Sequence, residues 1–523
     1  MDHHQKSVPL PKFPLSAYDL SYTIKTQSQA GLMNCHFVEE CIPGDIAHIK
    51  TDLFMRLDPL TFPIMHKIKI RQNFFFVPTR LVLGDKQTEE FFSCKDMMAK
   101  LPYILLPPNS GYTSPIGSNS LFDQMESQPI NGIWTTPKVI RNPLPFYMYS
   151  LIWKDWYADE ILDSSEIAIV ENLIDGYQNT SFGQPAITFA AGTRSPLELR
   201  RVSYSKDRFT SAQPDAQRVG EVYLMNPLKL EGVRTGDEYI GQVTSGSGNL
   251  LVLPYGQTVP SGGTENVRAS LTIDELWDEM VVQRFLNSMN EFGNERYTEI
   301  LAGQFGVLSA DARLQRSQWI GGNETVVNIS EVLQTSESTA NNPLGSLAGR
   351  GIVSGRGRDI AFKVPEHGFI LGILSIVPEN GYASGSPRWL FKSTPLDFAF
   401  PRFNNLGESV VYNGELFSDH EVDSVTNDLS EFGYQPQFDE YRSHPSRATC
   451  GFRDSAFLAW HLDRKFTSPP ALNPSFIHID PQETNRIFND TDPAAYHYNI
   501  VAFHKEMFVR PIVKHPRPGA STL

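Results

Sequence analysis

The sequence has few cysteines, and their placement excludes a disulfide-stabilised domain. Its 523 residues include only Cys35, Cys41, Cys94 and Cys450, with no Cys-x-x-Cys pair. Cys35 and Cys41 fall in one strand-like run, where six extended residues hold them about 20 Å apart, beyond the reach of a disulfide. We therefore expect small buried thiols and a reducing compartment.

Long apolar runs are also missing. The longest extend over about nine residues, whereas a helix that spans a bilayer needs roughly twenty. The amino-terminal sequence MDHHQKSVPLP has no apolar segment of the kind found in secretory signals. We expect neither a signal peptide nor a membrane role.

The chain lacks an excess of basic charge. It has 45 basic and 59 acidic residues, which give a net charge of −14. Phosphate contacts need Lys and Arg, so this balance disfavours a protein whose whole surface wraps nucleic acid. It leaves open a local basic face or a separate basic partner, and it favours solubility at high concentration.

Motifs for catalysis, cofactors and metals are absent as well. There is no HExxH, GxSxG or Walker sequence. Glu366 and His367 are adjacent at the start of a predicted strand, so their side chains point to opposite faces. The glycine-rich residues 345–358 have neither nucleotide-binding spacing, and we predict a tight connection into the next strand. The sequence predicts no enzyme, no cofactor and no metal site.

The most informative stretch that is present covers residues 65–83, MHKIKIRQNFFFVPTRLVL. Apolar and polar side chains alternate along it, with Ile68, Ile70, Phe74 and Phe76 on one face and Lys67, Lys69, Arg71 and Asn73 on the other. This period of two predicts a strand with one buried and one wet face, which Pro78 ends near Val77. The run HGFILGILSIV at 367–377 predicts a second long strand. Two such strands about 300 residues apart predict an antiparallel β-core with large insertions.

Other elements follow from turn and capping signals. Pro43-Gly44-Asp45 predicts a turn. It lies between strands at 32–42 and 46–57, and further strand-like pieces lie at 448–462 and 495–513. Helices are predicted at 86–100, 145–162, 272–293 and 296–305. Residues 166–270 show no clear periodicity, and the Gly- and Ser-rich part at 220–267 predicts either a protruding excursion, such as a hairpin, or a flexible linker.

Several stretches together resemble one family, the major capsid proteins of the microviruses, in the gokushovirus branch. They occur in the family's order and cover most of the chain. They are MRLDPL (55–60), FFFVPTRL (74–81), LPFYMYSLIWKDWY (144–157), RYTEILAGQFGVLSADARLQRSQWIGG (296–322), NPLGSLAGRG (342–351), EHGFILGILSI (366–376), FGYQPQFDEYRSHPSR (432–447), LAWHL (458–462) and RP at 510–511.

The resemblance implies a mainly β fold, an eight-stranded antiparallel jelly roll whose long loop insertions carry a few helices. The corresponding division is an amino-terminal arm (1–31), first strands (32–83), insertions (84–358), remaining strands and loops (359–513) and a tail (514–523). It further implies a virion protein, assembled in the host cytoplasm into a T=1 icosahedral shell of about 60 copies around circular single-stranded DNA. A small basic DNA-binding protein, a DNA pilot protein and a host-surface receptor are the implied partners.

Two groups of residues are then candidates for contacts in such a particle. Inward-facing basic side chains are expected to contact DNA without reading its sequence, and the alternative for each is a solvated or intersubunit charge. The candidates are Lys67, Lys69, Arg71, Lys505, Arg510, Lys514 and Arg517. Residues 220–267 occupy the place of the insertion that forms a threefold spike in gokushoviruses, with Tyr239, Leu250, Leu251, Val252 and Tyr255 as candidate surface residues.

Two other classes of function remain open from the residues alone. A carbohydrate-binding or glycoside-cleaving β-protein predicts a soluble monomer with an aromatic platform beside two carboxylates. A receptor-binding spike or fibre predicts trimers rather than closed shells.

Overall fold

A computed structural model gives the fold of this chain. It describes residues 14–93, 98–108, 115–188, 195–215, 315–333, 347–403, 407–418 and 428–515, together with short strands between 230 and 269. The chain forms two compact units. The first comprises Met1–Pro214, Ser309–Phe398 and Val410–Leu523, and the second comprises Asp215–Leu308 and Ala399–Ser409.

Strands dominate the described residues. Their bounds are β1 Ser16–Asp19, β2 Tyr22–Ser28, β3 Asn34–Cys41, β4 Ile46–Leu57, β5 Ile68–Pro78, β6 Tyr103–Leu106, β7 Lys138–Ile140, β8 Pro185–Thr188, β9 Leu230–Glu231, β10 Arg234–Thr235, β11 Glu238–Tyr239, β12 Gln242–Thr244, β13 Leu250–Val252, β14 Arg268–Ala269, β15 Gln318–Val326, β16 Asn328–Leu333, β17 Leu347–Gly355, β18 Ile360–Lys363, β19 Gly368–Pro378, β20 Gly381–Tyr382, β21 Glu408–Tyr412, β22 Glu431–Pro436, β23 Ser446–Arg447 and β24 Tyr498–Arg510. The α-helices are α1 Thr79–Leu83, α2 Asp85–Phe92, α3 Leu121–Gln124, α4 Leu144–Trp156, α5 Ser164–Gln178, α6 Pro474–Ile477 and α7 Pro481–Thr484.

Two sheets build the first unit. The four-stranded sheet has the order β15-β5-β19-β3, and the seven-stranded sheet contains β1, β2, β24, β4, β17, β16 and β18. Along the chain, β2 to β5 alternate between the two sheets, and so do β18, β19 and β24. This alternation with antiparallel pairing is the topology of a jelly roll. The predicted fold class is therefore confirmed, while the predicted count of eight strands is not.

The centre of the four-stranded sheet is the pair of long strands predicted from the sequence. β5 and β19 pair antiparallel along their full lengths, with Ile373 opposite Asn73. β-branched and aromatic residues fill both strands because their side chains pack well on a pleated surface. Between the sheets, Phe37 and Phe74 meet edge to face with ring centroids 5.6 Å apart, and Phe508 of β24 packs in the same cluster.

The outer side of the four-stranded sheet is not wet along its whole length, which corrects the sequence prediction. α4 packs there, and its residues from Phe146 to Trp153 are all buried. Tyr149 donates a hydrogen bond of 2.6 Å to the backbone oxygen of Met33, which ties this helix to the chain just before β3. Phe75 and Val77 are consequently buried although they lie on the polar side of the predicted strand. A helix that is apolar all round is a core helix rather than an amphipathic one.

Two glycines explain features of the chain trace. Gly44 has a φ of 91° in the turn between β3 and β4, a conformation that suits glycine and confirms the predicted turn. In β17, a Cβ at Gly349 would lie 2.6 Å from the backbone oxygen of Phe62. The glycine-rich sequence thus allows a close approach of two backbones, and it forms a strand rather than the predicted connection.

Four further predictions differ from the structure. Residues 16–28 form β1 and β2, paired to β24, rather than an arm, because the edge of the sheet offers them hydrogen bonds. β15 to β17 belong to the main sheets, although they fall inside the predicted insertion at 84–358. Residues 166–178 belong to α5 instead of lacking periodicity. The segment 448–462 forms two 3-10 turns, Cys450–Arg453 and Ser455–Trp460, instead of a strand.

The remaining predicted helices divide into two groups. Of the helix predicted at 86–100, only the first half is observed, as α2, which ends at Phe92. The helix predicted at 145–162 is observed as the shorter α4. The helices predicted at 272–293 and 296–305 lie outside the described residues.

In the second unit, the described residues pair as short antiparallel ribbons. β12 pairs with β13, placing Val243 opposite Leu251. β10 pairs with β11, and β9 pairs with β14. Hairpin pairing therefore does occur within residues 220–267, as one of the two sequence alternatives anticipated.

Candidate nucleic-acid interface

The seven-stranded sheet has an open face on the side away from the sandwich interior. Burial alternates along the whole of β4 and over β24 from Tyr498 to Val509, and alternate residues of β2 are exposed. The residues that point outward are half-buried or exposed. We call this surface the open face, and its central members are Lys25, Lys50, Phe54, Arg56, Phe503 and Lys505.

Strand register brings basic residues from distant parts of the chain together on the open face. Lys505 of β24 lies directly opposite Lys50 of β4. Like charges in directly opposed positions destabilise a sheet. Lys50 is compensated in part by Asp359, at 3.5 Å, whereas Lys505 has no ion-pair partner among the described residues. The repulsion between Lys50 and Lys505 destabilises the free subunit, and an anion bound between them would remove it.

Aromatic side chains lie between these charges. Phe503 is 45% exposed although it lies in the middle of a long strand. The guanidinium carbon of Arg56 lies 5.8 Å from the ring centroid of Phe54, and Lys25 neighbours Val501, which in turn is opposite Phe54. Cations interleaved with exposed rings match the two needs of a single-stranded polynucleotide, namely phosphate neutralisation and base stacking.

The inward face of the same strands is buried, and a few polar side chains lie among its apolar ones. His36 and His504 stack with ring centroids 5.2 Å apart and an interplanar angle of 7°, and Thr51 Oγ1 lies 2.8 Å from His504 Nδ1. Burial lowers the pKa of His504 to about 4 and raises the pKa of Glu506 to about 8. Near neutral pH both groups are therefore uncharged inside the sandwich, while Lys505 of the same strand is exposed on the open face.

Three of the predicted DNA-facing residues form ion pairs within the chain. Lys69 and Arg71 both pair with Glu324, at 3.1 and 3.0 Å. Arg510 pairs with Glu39 at 2.6 Å. These partners were not foreseen in the sequence, because they lie on other strands. Lys69 and Arg71 share one carboxylate, and Arg510 also contacts Asp45. Because all three side chains are engaged within the chain, we do not include them in the candidate interface.

The other predicted basic residues differ in their positions. Lys67 is exposed just before β5, on the four-stranded sheet. Lys505 lies on the open face, Lys514 is exposed after β24, and Arg517 lies outside the described residues. The structure therefore does not bring the predicted set together. DNA contact by any member stays a prediction.

Sequence reasoning missed Lys25, Lys50 and Arg56. The alternation of apolar and polar residues in TIKT and LFMRL marks Lys25 and Arg56 as outward-facing. The pattern does not show that these strands lie on either side of β24, so the shared surface could not be predicted from it.

A groove of about 670 Å³ runs beside the open face, lined in part by Phe54, Asp123 and Glu126. An aromatic ring with two carboxylates is what the carbohydrate hypothesis requires. Asp123 accepts a hydrogen bond of 2.9 Å from the backbone N–H of Asn119. Glu126 accepts a hydrogen bond from the hydroxyl of Tyr22. Burial is the main cause of the raised pKa of Tyr22, and Glu126 adds to it. Both carboxylates thus have local structural roles.

The predicted surface-protrusion residues all fall in the second unit. Tyr239 ends β11, while Leu250, Leu251 and Val252 form β13. Tyr255 lies outside the described residues. Exposure of these side chains stays a prediction.

The described residues offer no metal site and no membrane-spanning helix. They contain no group of three or more His, Cys, Asp or Glu side chains arranged to hold a metal ion. No helix in the described parts has the length and apolarity needed to cross a membrane. Cys35 and Cys41 are buried free thiols, Cys450 is an exposed one, and burial raises the pKa of Cys35 to about 12. Cys94 lies outside the described residues.

Comparison with known proteins supplies the context for the open face. Residues 7–519 match the family described as "Capsid protein (F protein)". The chain is 29% identical over 511 residues to "Capsid protein VP1" of Bdellovibrio phage phiMH2K, covering 91% of this chain and 90% of that protein. It is 28% identical to "Capsid protein VP1" of Chlamydia phage 1, with 91% of each chain covered. It is 26% identical to "Capsid protein VP1" of Spiroplasma virus 4, covering 85% of this chain and 84% of that protein.

These matches confirm the resemblance drawn from the sequence motifs. They favour a structural virion protein that assembles in many copies over the carbohydrate-binding alternative. With a sandwich of jelly-roll topology and a match over nearly its full length, the chain belongs to the capsid protein (F protein) family of the microviruses.

Proposed function

We propose that the chain forms a closed T=1 icosahedral shell around a circular single-stranded DNA genome, with the open face directed toward the DNA. Family membership supports the shell. The observation that supports DNA contact is a group of basic side chains interleaved with phenylalanines on one sheet face. Three of them, Lys25, Arg56 and Lys505, have no ion-pair partner among the described residues. The chain carries a net charge of −14, so a local group of basic side chains is best explained by a negatively charged ligand.

The proposed mechanism separates rigidity from recognition. The sandwich core fixes β2, β4 and β24, so that Lys25, Arg56 and Lys505 are held at set spacings. Their charges neutralise phosphates, and Phe54 and Phe503 offer stacking surfaces that accept any base. Binding of this kind is independent of sequence and sensitive to salt, as enclosure of a whole genome requires.

Further partners complete the charge balance and the infection cycle. A few basic residues per chain do not neutralise a genome, so a small basic DNA-binding protein shares that role, and a DNA pilot protein accompanies it. We assign residues 220–267 to a threefold spike that contacts a host-surface receptor. Its short antiparallel ribbons are suited to present loops. We further propose that the shell assembles in the host cytoplasm.

The first test is the size of the assembled protein by electron microscopy with light scattering. Closed particles a few hundred ångströms across are expected for a T=1 shell, of about 60 copies. Stable monomers under all assembly conditions, with the other virion proteins present, contradict the shell.

The second test addresses DNA contact. A triple variant, Lys25→Gln, Arg56→Gln and Lys505→Gln, should lower packaged DNA per particle while leaving shells intact. The matched control removes equal charge from exposed residues outside the open face, by Lys86→Gln, Lys100→Gln and Arg141→Gln. Equal DNA content in wild-type, triple-variant and control particles contradicts a DNA-facing open face.

A further inference from the structure

A group of exposed apolar side chains lies between residues 389 and 441, outside the strands that form the open face. Trp389 is 68% exposed, and four further large side chains are about half exposed. We call this set the apolar patch, and its members are Trp389, Leu390, Leu396, Phe398 and Tyr441. Four of them fall within ten residues of the chain, and Phe398 and Tyr441 both approach the ammonium of Lys392. Isolated exposed apolar residues are ordinary, but a group of this size indicates a binding surface.

The backbone beneath the apolar patch is held in place. Arg388 pairs with the buried Glu415 at 3.4 Å, and its guanidinium lies 4.2 Å from the ring centroid of Tyr412. Asp397 accepts hydrogen bonds from the backbone and side chain of Thr394, at 2.7 and 2.8 Å. The apolar side chains are therefore presented in a fixed arrangement, which reduces the entropy lost on binding.

The charge at the centre of the apolar patch is covered. Lys392 is 5% exposed and pairs with Glu440 at 2.7 Å. Its ammonium lies 4.3 Å from the ring centroid of Tyr441 and 5.8 Å from that of Phe398. Because this cation is compensated and hidden, the surface offers a polyanion little attraction. It suits an apolar partner instead.

We propose that the apolar patch is a contact surface between copies of this chain in the shell, a proposal that rests on the shell proposed above. Five half-exposed large side chains supply roughly 500 Å² of apolar surface, a large share of the about 800 Å² that each partner contributes to a stable interface. Aromatic residues around a covered cation, with few free charges, have the composition of an interface core. A second copy is the partner that every subunit of a shell must bind.

The test combines assembly with a probe of accessibility. Trp389→Ser with Phe398→Ser should reduce the yield of closed particles at least tenfold, while unassembled subunits keep the wild-type circular dichroism spectrum. The matched control changes two exposed apolar residues outside the patch, by Met65→Ser and Ile133→Ser, and should assemble normally. In wild-type particles, Trp389 and Tyr441 should be protected at least fivefold from hydroxyl-radical oxidation relative to dissociated subunits.

Each outcome bears on the proposal. Normal particle yield from the patch variant, or an equal loss in the control, overturns it. If the patch variant fails to fold, oxidation of wild-type particles decides, and unprotected Trp389 and Tyr441 overturn it. Protection that appears only when another virion protein is present assigns the patch to that protein and overturns the contact between copies. Absence of wild-type particles contradicts the shell itself, which is a different result.

Discussion

The two sheets of the sandwich differ in how many of their faces are covered. In the four-stranded sheet, all eleven residues of β19 are buried. In the seven-stranded sheet, β24 alternates between buried and exposed positions over most of its thirteen residues. Both strands are long and central, so the difference comes from what packs on the outer side.

The covering helix explains the difference. α4 packs on the four-stranded sheet, so this sheet needs apolar side chains on both faces. The seven-stranded sheet has one buried and one open face, the common arrangement for antiparallel sheets. A strand that is apolar throughout is therefore covered on both faces, whereas a strand with a hydrophobic period of two is covered on one face. The alternating strand is the one that presents side chains to a ligand.

The largest expected effect comes from placing a charge on each sheet in turn. Leu371 of β19 is fully buried and shares the helix-covered face with its cross-strand neighbour Phe75. Leu371→Lys buries an unpaired charge and should destabilise the subunit by more than about 4 kcal/mol. Soluble yield and circular dichroism measure the loss.

The matched substitution is Val501→Lys, on the open face of β24. It should change stability by less than about 1 kcal/mol, because the new ammonium remains in water. Similar stability of the two variants would break the distinction between the sheets.

Local patterns predicted strands well where burial has a period of two. The bounds of β4 agree with the prediction, and β5 and β19 differ from it by a residue or two. α5 was missed although Ile167, Val170, Ile174 and Tyr177 follow helical spacing, because Gly176 and the seven polar residues of the helix weaken the apolar pattern.

The candidate site was less predictable than the fold, because it depends on pairing between distant segments. Lys505 was identified from its position near the carboxyl terminus, but its neighbour Lys50 lies more than 450 residues earlier. For the same reason, the sequence did not reveal the ion pair between Arg71 and Glu324, which lies 253 residues away. Charge is visible in a sequence, whereas its compensation becomes visible only in the fold.

A second prediction uses the buried carboxyl group between the sheets. Burial raises the pKa of Glu506 from 4.5 to about 8, so the folded protein holds a proton that the unfolded chain releases between these values. Stability from this group is complete below pH 4.5 and is lost as the pH rises to 8. Glu506→Gln cannot ionise, and should exceed the wild type by more than about 1 kcal/mol at pH 8.5, with little difference near pH 4.5.

Thermal unfolding of dissociated subunits across this pH range measures the effect. The lowered pKa of His504 makes both proteins less stable as the pH falls from 6.5 toward 4, so the difference between them isolates Glu506. Glu89→Gln, an exposed substitution on α2, should show no pH-dependent difference. Parallel curves for the Glu506→Gln variant and the wild type contradict a buried neutral carboxyl.

A third prediction concerns packing density in the four-stranded sheet. A Cβ at Gly372 would lie 2.7 Å from Phe37 Cβ and 2.9 Å from the Phe74 ring. Gly372→Ala should therefore destabilise by about 1–3 kcal/mol, as overpacking does. At Gly176, an exposed position of α5, an added Cβ meets no atom within 4 Å. Gly176→Ala should therefore stabilise the protein by about 0.5–1 kcal/mol. Denaturant midpoints give both values, and equal signs contradict the packing argument.

The smallest effect on stability, and the sharpest test of the open face, comes from Lys505→Gln. Removing this charge relieves its like-charged opposition to Lys50, so stability should stay within about 0.5 kcal/mol of the wild type. If Lys505 contacts a phosphate, the slope of log K against log salt for binding of oligo-dT should fall by roughly 0.7. Fluorescence titration of dissociated subunits measures this slope, with Lys86→Gln as the control that leaves it unchanged. Identical slopes for the three proteins would place Lys505 away from the polynucleotide, and the open face would then differ from the covered one in burial alone.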